Sequence, residues 1–118
     1  MLTKNKIEKV AENLGFSVNF LTRDYTNSKN VRVVEFSTYS PCGQDFYMDF
    51  DYKNLQELPS KIYDYYQSYD PSYEASLWLD NEGHGKNGAP YEMGDLYDDM
   101  KWCEASIKEL SEALNEAA

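Results

Sequence analysis

The feature that most restricts how this chain can fold is a stripe of six apolar residues, Leu96, Met100, Cys103, Ile107, Leu110 and Leu114, at unbroken three- and four-residue spacings. Such a stripe predicts an amphipathic helix whose apolar side runs about 27 Å at 1.5 Å per residue. A helix that is apolar along one side must lay that side against something. In a chain of 118 residues there is room for about one core, so residues 1–118 are expected to form a single domain in which the preceding elements cover the stripe. Cys103, lying within the stripe, reads as a small core residue.

The preceding elements follow from changes of period. Ile7, Val10, Ala11 and Leu14 fall at helical spacing, with Thr3 as a candidate N-cap and Gly15 as the stop. From Phe16 the period becomes two, through Val18 and Phe20, and the polar run Thr26–Asn30 then predicts a turn. A second strand is expected over Val31–Tyr39, a turn at Ser40–Gly43, and a third strand in which Phe46, Met48 and Phe50 alternate with Tyr47, Asp49 and Asp51. Helical spacing returns at Leu55, Leu58, Ile62, Tyr65 and Tyr69, with Asn54 and Glu57 as a candidate capping box and Pro59 delaying the first turn. Asp70 and Pro71 read as N-cap and first residue of a short helix through Tyr73 and Leu77, with Trp78 as its outer limit, ending before Gly83, and Gly83–Pro90 reads as a loop. The expected fold is α+β: an N-terminal helix, a three-stranded antiparallel meander, then two to three helices including a long C-terminal one.

Charge narrows the partner before any site is chosen. Residues 41–118 hold seventeen carboxylates against five lysines and no arginine, a formal −12, whereas residues 1–40 hold six basic and four acidic residues, a formal +2. A surface this negative repels nucleic acid and anionic membrane and attracts basic protein surfaces. The apolar fraction of 42% is too high for intrinsic disorder despite the net charge of −10. No apolar run approaches a membrane span, and Met1-Leu2-Thr3-Lys4-Asn5-Lys6 is not the start of a signal peptide, so the expected location is the bacterial cytoplasm, with no membrane partner. Cys42 and Cys103 are too few for a disulfide framework and are expected to be thiols.

Motifs for chemistry are thin. His84 is the one histidine, and with Asp80 and Glu82 it offers no more than a loose surface cation site. Asp49-Phe50-Asp51 with Asn54 begins like a calcium loop, but Lys53 takes a ligand position and the required glycine is missing. Gly85-Lys86 lacks the earlier glycine and the following hydroxyl of a phosphate loop. Neither cysteine has a base near it in sequence. The order helix, three strands, helix resembles a double-stranded RNA-binding domain in topology, yet the helix after the sheet carries Lys61 among Glu57, Asp64 and Asp70, the wrong sign for phosphate. No catalytic residue, cofactor or metal is expected.

The distinctive pattern is the interleaving of carboxylates with aromatic residues. Asp98, Trp102, Glu109, Glu112 and Glu116 fall on one flank of the last helix, and carboxylates three or four apart there start about 5–6 Å from one another, close to phosphate separations. Asp49, Asp51, Asp64, Asp70, Asp95, Asp98, Asp99, Glu109 and Glu112 are therefore the candidate charges of a partner-binding surface. Tyr47, Tyr66, Tyr97 and Trp102 are its candidate contact residues, since tyrosine and tryptophan offer stiff area at small entropic cost. A solvated helix face and plain solubility are the simpler readings of any one of these carboxylates.

Three segments carry a resemblance: Ser40-Pro41-Cys42-Gly43-Gln44-Asp45-Phe46, Tyr69-Asp70-Pro71 with Trp78, and Asn87-Gly88-Ala89-Pro90 leading to Leu96 and Asp99. Over about residues 34–114 they resemble an uncharacterised family of small acidic proteins from phages, plasmids and integrated elements of gut bacteria. The chain departs from that pattern in having Tyr91-Glu92-Met93-Gly94 where a helix cap is expected. The resemblance implies a mobile-element setting, in which acidic proteins disarm host restriction or CRISPR nucleases, some by imitating DNA. Together with the charge, it leads to the expectation of a non-enzymatic inhibitor of a host defence nuclease, anti-CRISPR or antirestriction in type, acting by DNA mimicry. The alternative is a small adaptor that docks through an aromatic patch, with acidity serving solubility.

Overall fold

The computed structural model describes residues 1–78 and 93–118. The Gly83–Pro90 loop, and with it Asp80, Glu82 and His84, lies outside the described residues. The elements occur in the expected order: helix α1 (Lys4–Asn13), strands β1 (Ser17–Tyr25), β2 (Ser28–Tyr39) and β3 (Asp45–Asp51), a 3₁₀ turn (Leu55–Glu57), then helices α2 (Leu58–Ser68), α3 (Pro71–Ser76) and α4 (Met93–Ala117). The strands form an antiparallel sheet in the order β1-β2-β3.

Local chemistry explains most of the boundaries. The Thr3 hydroxyl accepts the Lys6 N–H at 3.2 Å and caps α1, and Gly15 at φ 91° turns the chain from α1 into β1. The first hairpin is tighter than Thr26–Asn30 suggests. Tyr25 pairs with Ser28, leaving a two-residue turn, and the excess chain is absorbed as a bulge in which Asn30 takes φ 55° and donates its N–H to Asp24 Oδ1 at 2.8 Å. Asparagine tolerates that left-handed conformation, and so the strands continue past the polar run.

The proposed capping box is not formed. Asn54 caps the 3₁₀ turn by accepting the Gln56 N–H, while Glu57 precedes α2 without a capping bond and stands 3.8 Å from Lys61 instead. Pro59 causes this by sitting in the first turn of α2, where its missing N–H costs nothing. Asp70 caps α3 as expected, accepting from Ser72 and Tyr73, but α3 ends at Ser76 and Trp78 packs beside the core from outside the helix. Helix α4 is present by Met93, four residues before Tyr97.

All six residues of the α4 stripe are buried, and they join one core with Phe16, Val34, Phe36, Phe46 and Met48 from the inner side of the sheet. Tyr69 links the layers, packing edge-on against Phe46 and donating its hydroxyl to the Met100 sulfur at 3.3 Å. Ser111, buried on α4, donates to the Pro59 carbonyl at 2.8 Å and fixes α4 against α2. The molecule measures 47 × 35 × 22 Å, and the shortest extent accommodates one sheet and one layer of helices. The outer face of the sheet and the side of α4 opposite its stripe are therefore both surface.

Candidate partner-binding surface

At 100° per residue, the flank of α4 opposite its buried stripe carries Asp95, Asp98, Trp102, Glu109, Glu112 and Glu116, and all six are exposed. Over its whole length α4 holds seven carboxylates and two lysines, a formal −5. Both lysines are engaged at the side: Lys101 bonds Glu104 at 2.9 Å, and Lys108 stands 3.7 Å from Glu112 and 6.0 Å from the centre of the Tyr66 ring. Asp95, Asp98, Glu109 and Glu116 have no ion-pair partner among the described residues. Asp64 of α2 extends this surface, because it and Glu112 line the same groove of about 350 Å³ between α2 and α4, with Tyr63 on one wall. Half-buried Tyr66 stacks obliquely on Tyr63 at 5.7 Å, and Tyr97 is exposed to the side of the flank.

Near its N-terminal end this surface has a recess of about 300 Å³, lined by Pro41 and Cys42 of the β2–β3 turn and by Asp95, Asp98, Asp99 and Trp102 of α4. Asp99 belongs here and not among the outward charges. It is 3% exposed, because its place on the helix lies at the border of the buried stripe and the β2–β3 turn closes over it. One carboxylate oxygen accepts the Cys42 N–H at 3.1 Å, and the other has no hydrogen-bond partner among the described residues. Burial first, then Asp99, Asp95 and Asp98, push the Cys42 thiol upward. Burial and Asp99 raise the Cys103 thiol to about 12. Both shifts favour the thiol over the reactive thiolate. Both cysteines are unpaired.

The other expected carboxylates are placed differently. Asp70 is spent on the α3 cap. Asp49, Asp51 and Tyr47 point outward from β3, on the far face of the sheet, and do not join the α4 flank. There the register sets Asn19, Glu35 and Asp49 abreast. Arg23 reaches along the sheet to bond Glu35 at 2.6 Å, Asp49 at 2.5 Å and the Tyr47 hydroxyl at 2.9 Å. The Tyr47 hydroxyl also bonds Glu35 and lies 2.9 Å from Asp49, while Asn19 donates to Glu35 at 2.9 Å. Glu35 is held below the usual carboxylate range by Tyr47 and Asn19, and Asp49 by Arg23. Partial burial and Glu35 push the Tyr47 hydroxyl up to about 12. Val33 lies on this face between the ends of the bridge and is 1% exposed although outside the main core. Asp51 stands 3.8 Å from Lys61.

The candidates thus divide into an open surface on α4 and α2, a cluster on the sheet whose carboxylates share one arginine, and two carboxylates with structural work. Sequence reading missed Arg23, Glu35 and Asn19. Their signal was available in the strand alternation, but it required the cross-strand register, which the bulged hairpin shifts. Among the described residues no three potential metal ligands cluster, and no helix is long and apolar enough to cross a membrane. Comparison with family models, with curated proteins and with solved structures finds no match to this chain.

Proposed function

We propose that the chain is a non-enzymatic acidic inhibitor, acting in the bacterial cytoplasm, that occupies a basic nucleic-acid-binding surface of a defence nuclease of the CRISPR or restriction type. The observation that carries this reading is the α4 flank, where carboxylates without cationic partners among the described residues run along one side of a 25-residue helix beside exposed Trp102. A rigid row of charge of this kind meets a basic groove without paying to order itself, and its attraction reaches beyond contact. The imitation of DNA is confined to one helical flank with Asp64 beside it, since on the sheet Glu35 and Asp49 are tied to Arg23 and Asp51 is approached by Lys61.

The test is capture of the partner from a host that carries both restriction and CRISPR systems, followed by replacement of Glu109, Glu112 and Glu116 with lysine. The three are exposed, so the fold is expected to survive. Binding and inhibition are expected to fall by at least about tenfold, and the wild-type affinity to weaken steeply with salt. Unchanged inhibition by the triple variant would remove the basis of the reading. Salt-insensitive binding that is lost on Trp102→Ala alone would mark the adaptor instead.

A further inference from the structure

We infer that the recess between the β2–β3 turn and α4 is a socket for one guanidinium group, the arginine side chain by which a basic partner protein anchors itself. The inference rests on the proposed reading of the α4 flank and gives it a specific point of contact.

Asp95, Asp98, Asp99 and Trp102 stand at i, i+3, i+4 and i+7, the spacing that gathers side chains on one strip of a helix. Three carboxylates and an indole around a space of about 300 Å³ suit a planar organic cation, which can donate hydrogen bonds to the carboxylates from its edge and lie against the ring with its face. The space is at the small end of ligand pockets and fits a side chain better than a larger molecule. An acidic cluster alone would say little. The second observation is Asp99, which is 3% exposed, lines the recess, and keeps one carboxylate oxygen without a hydrogen-bond partner among the described residues. A buried, half-satisfied carboxylate costs stability, and a donor brought by a ligand recovers that cost on binding. The Cys42 N–H holds the other oxygen at 3.1 Å and so fixes the orientation of the carboxylate. A metal ion fits less well, because the three carboxylates line the recess without standing close enough together to hold one.

The experiment titrates the full chain, labelled with ¹⁵N, with N-acetyl-arginine amide and with N-acetyl-citrulline amide, its neutral counterpart. The arginine probe is expected to move the Cys42 amide and the Trp102 indole N–H in a saturable way, and the citrulline probe to bind at least about tenfold more weakly. Asp99→Asn, which keeps an oxygen for the Cys42 N–H, is expected to weaken the arginine probe about tenfold, and Trp102→Leu to weaken it in the same direction. Equal binding of the two probes, shifts that spread along α4 without saturating, or no effect of Asp99→Asn would each overturn the socket. The Glu109, Glu112 and Glu116 reversals leave the recess intact. Failure of the arginine probe while those reversals still abolish partner binding removes the socket alone, whereas reversals without effect remove the wider reading.

Discussion

The α4 flank and the outer face of the sheet are both rich in carboxylates, yet they present different charge to a partner. On the sheet, Arg23 bonds two carboxylates and a phenol at once, and Lys61 stands by Asp51. On α4 Lys101 bonds Glu104 and Lys108 stands by Glu112, while Asp95, Asp98, Glu109 and Glu116 have no ion-pair partner among the described residues. Formal charge counted along a sequence is therefore a poor measure of available charge: a single arginine, 26 residues before Asp49 and outside the formal −12 segment, changes what that strand can do. The lesson is one of register, since β2 sets Asp49 beside Glu35, and Arg23, opposite Val31, reaches along the sheet to both.

The comparison can be strained from the inside of α4. Leu110→Ala removes a fully buried side chain and should cost about 2–5 kcal/mol in urea or thermal unfolding. Glu109→Gln, the next residue but on the open flank, should stay within about 0.5 kcal/mol. Near-equal effects would mean that the flank is not free surface. Asp70→Ala tests whether that carboxylate belongs to either surface: loss of its bonds to Ser72 and Tyr73 should cost about 1 kcal/mol, measured by denaturation, with no effect on partner binding.

Arg23→Met sharpens the contrast most directly. Glu35 and Asp49 should then titrate higher, as followed by carboxyl NMR, because the strongest support of Asp49 and part of that of Glu35 are gone. In the wild type both groups are depressed from ordinary values of 4.5 and 3.8, so their contribution to stability is complete above those values and is lost as pH falls through the lower folded-state values. The difference in melting temperature between wild type and Arg23→Met should be largest near neutral pH and shrink below about pH 4. It should be small, since the bridge is partly exposed and screened by solvent. A difference that does not change with pH would mean that the cluster is held by packing over Val33 rather than by charge.

Much of the fold was legible because its signals are local. The α4 stripe, the Thr3 and Asp70 caps and the alternation of Phe46, Met48 and Phe50 each depend on neighbours within a few residues. The errors arose where one local rule displaced another. Pro59 in the first turn of α2 moved the Asn54 cap onto a 3₁₀ turn, and Asn30 absorbed a bulge that let β1 and β2 run on. The site was legible in part. Helical spacing correctly put Asp98, Trp102, Glu109 and Glu112 on one exposed flank, but it could not show that the β2–β3 turn covers Asp99, a contact across 57 residues. Nor could it show the Arg23 bridge, which spans three strands.

The central claim, that the open negative surface lies on α4 and not on the sheet, can be measured without a partner. Paramagnetic relaxation of the amide protons by a cationic and by an anionic nitroxide cosolute reports the potential near each residue. The account predicts a more negative potential along Asp95–Glu116 than at Tyr47 and Asp49, and a rise in negative potential at Tyr47 and Asp49 in Arg23→Met. An equal or more negative potential over the sheet of the wild-type protein would contradict it.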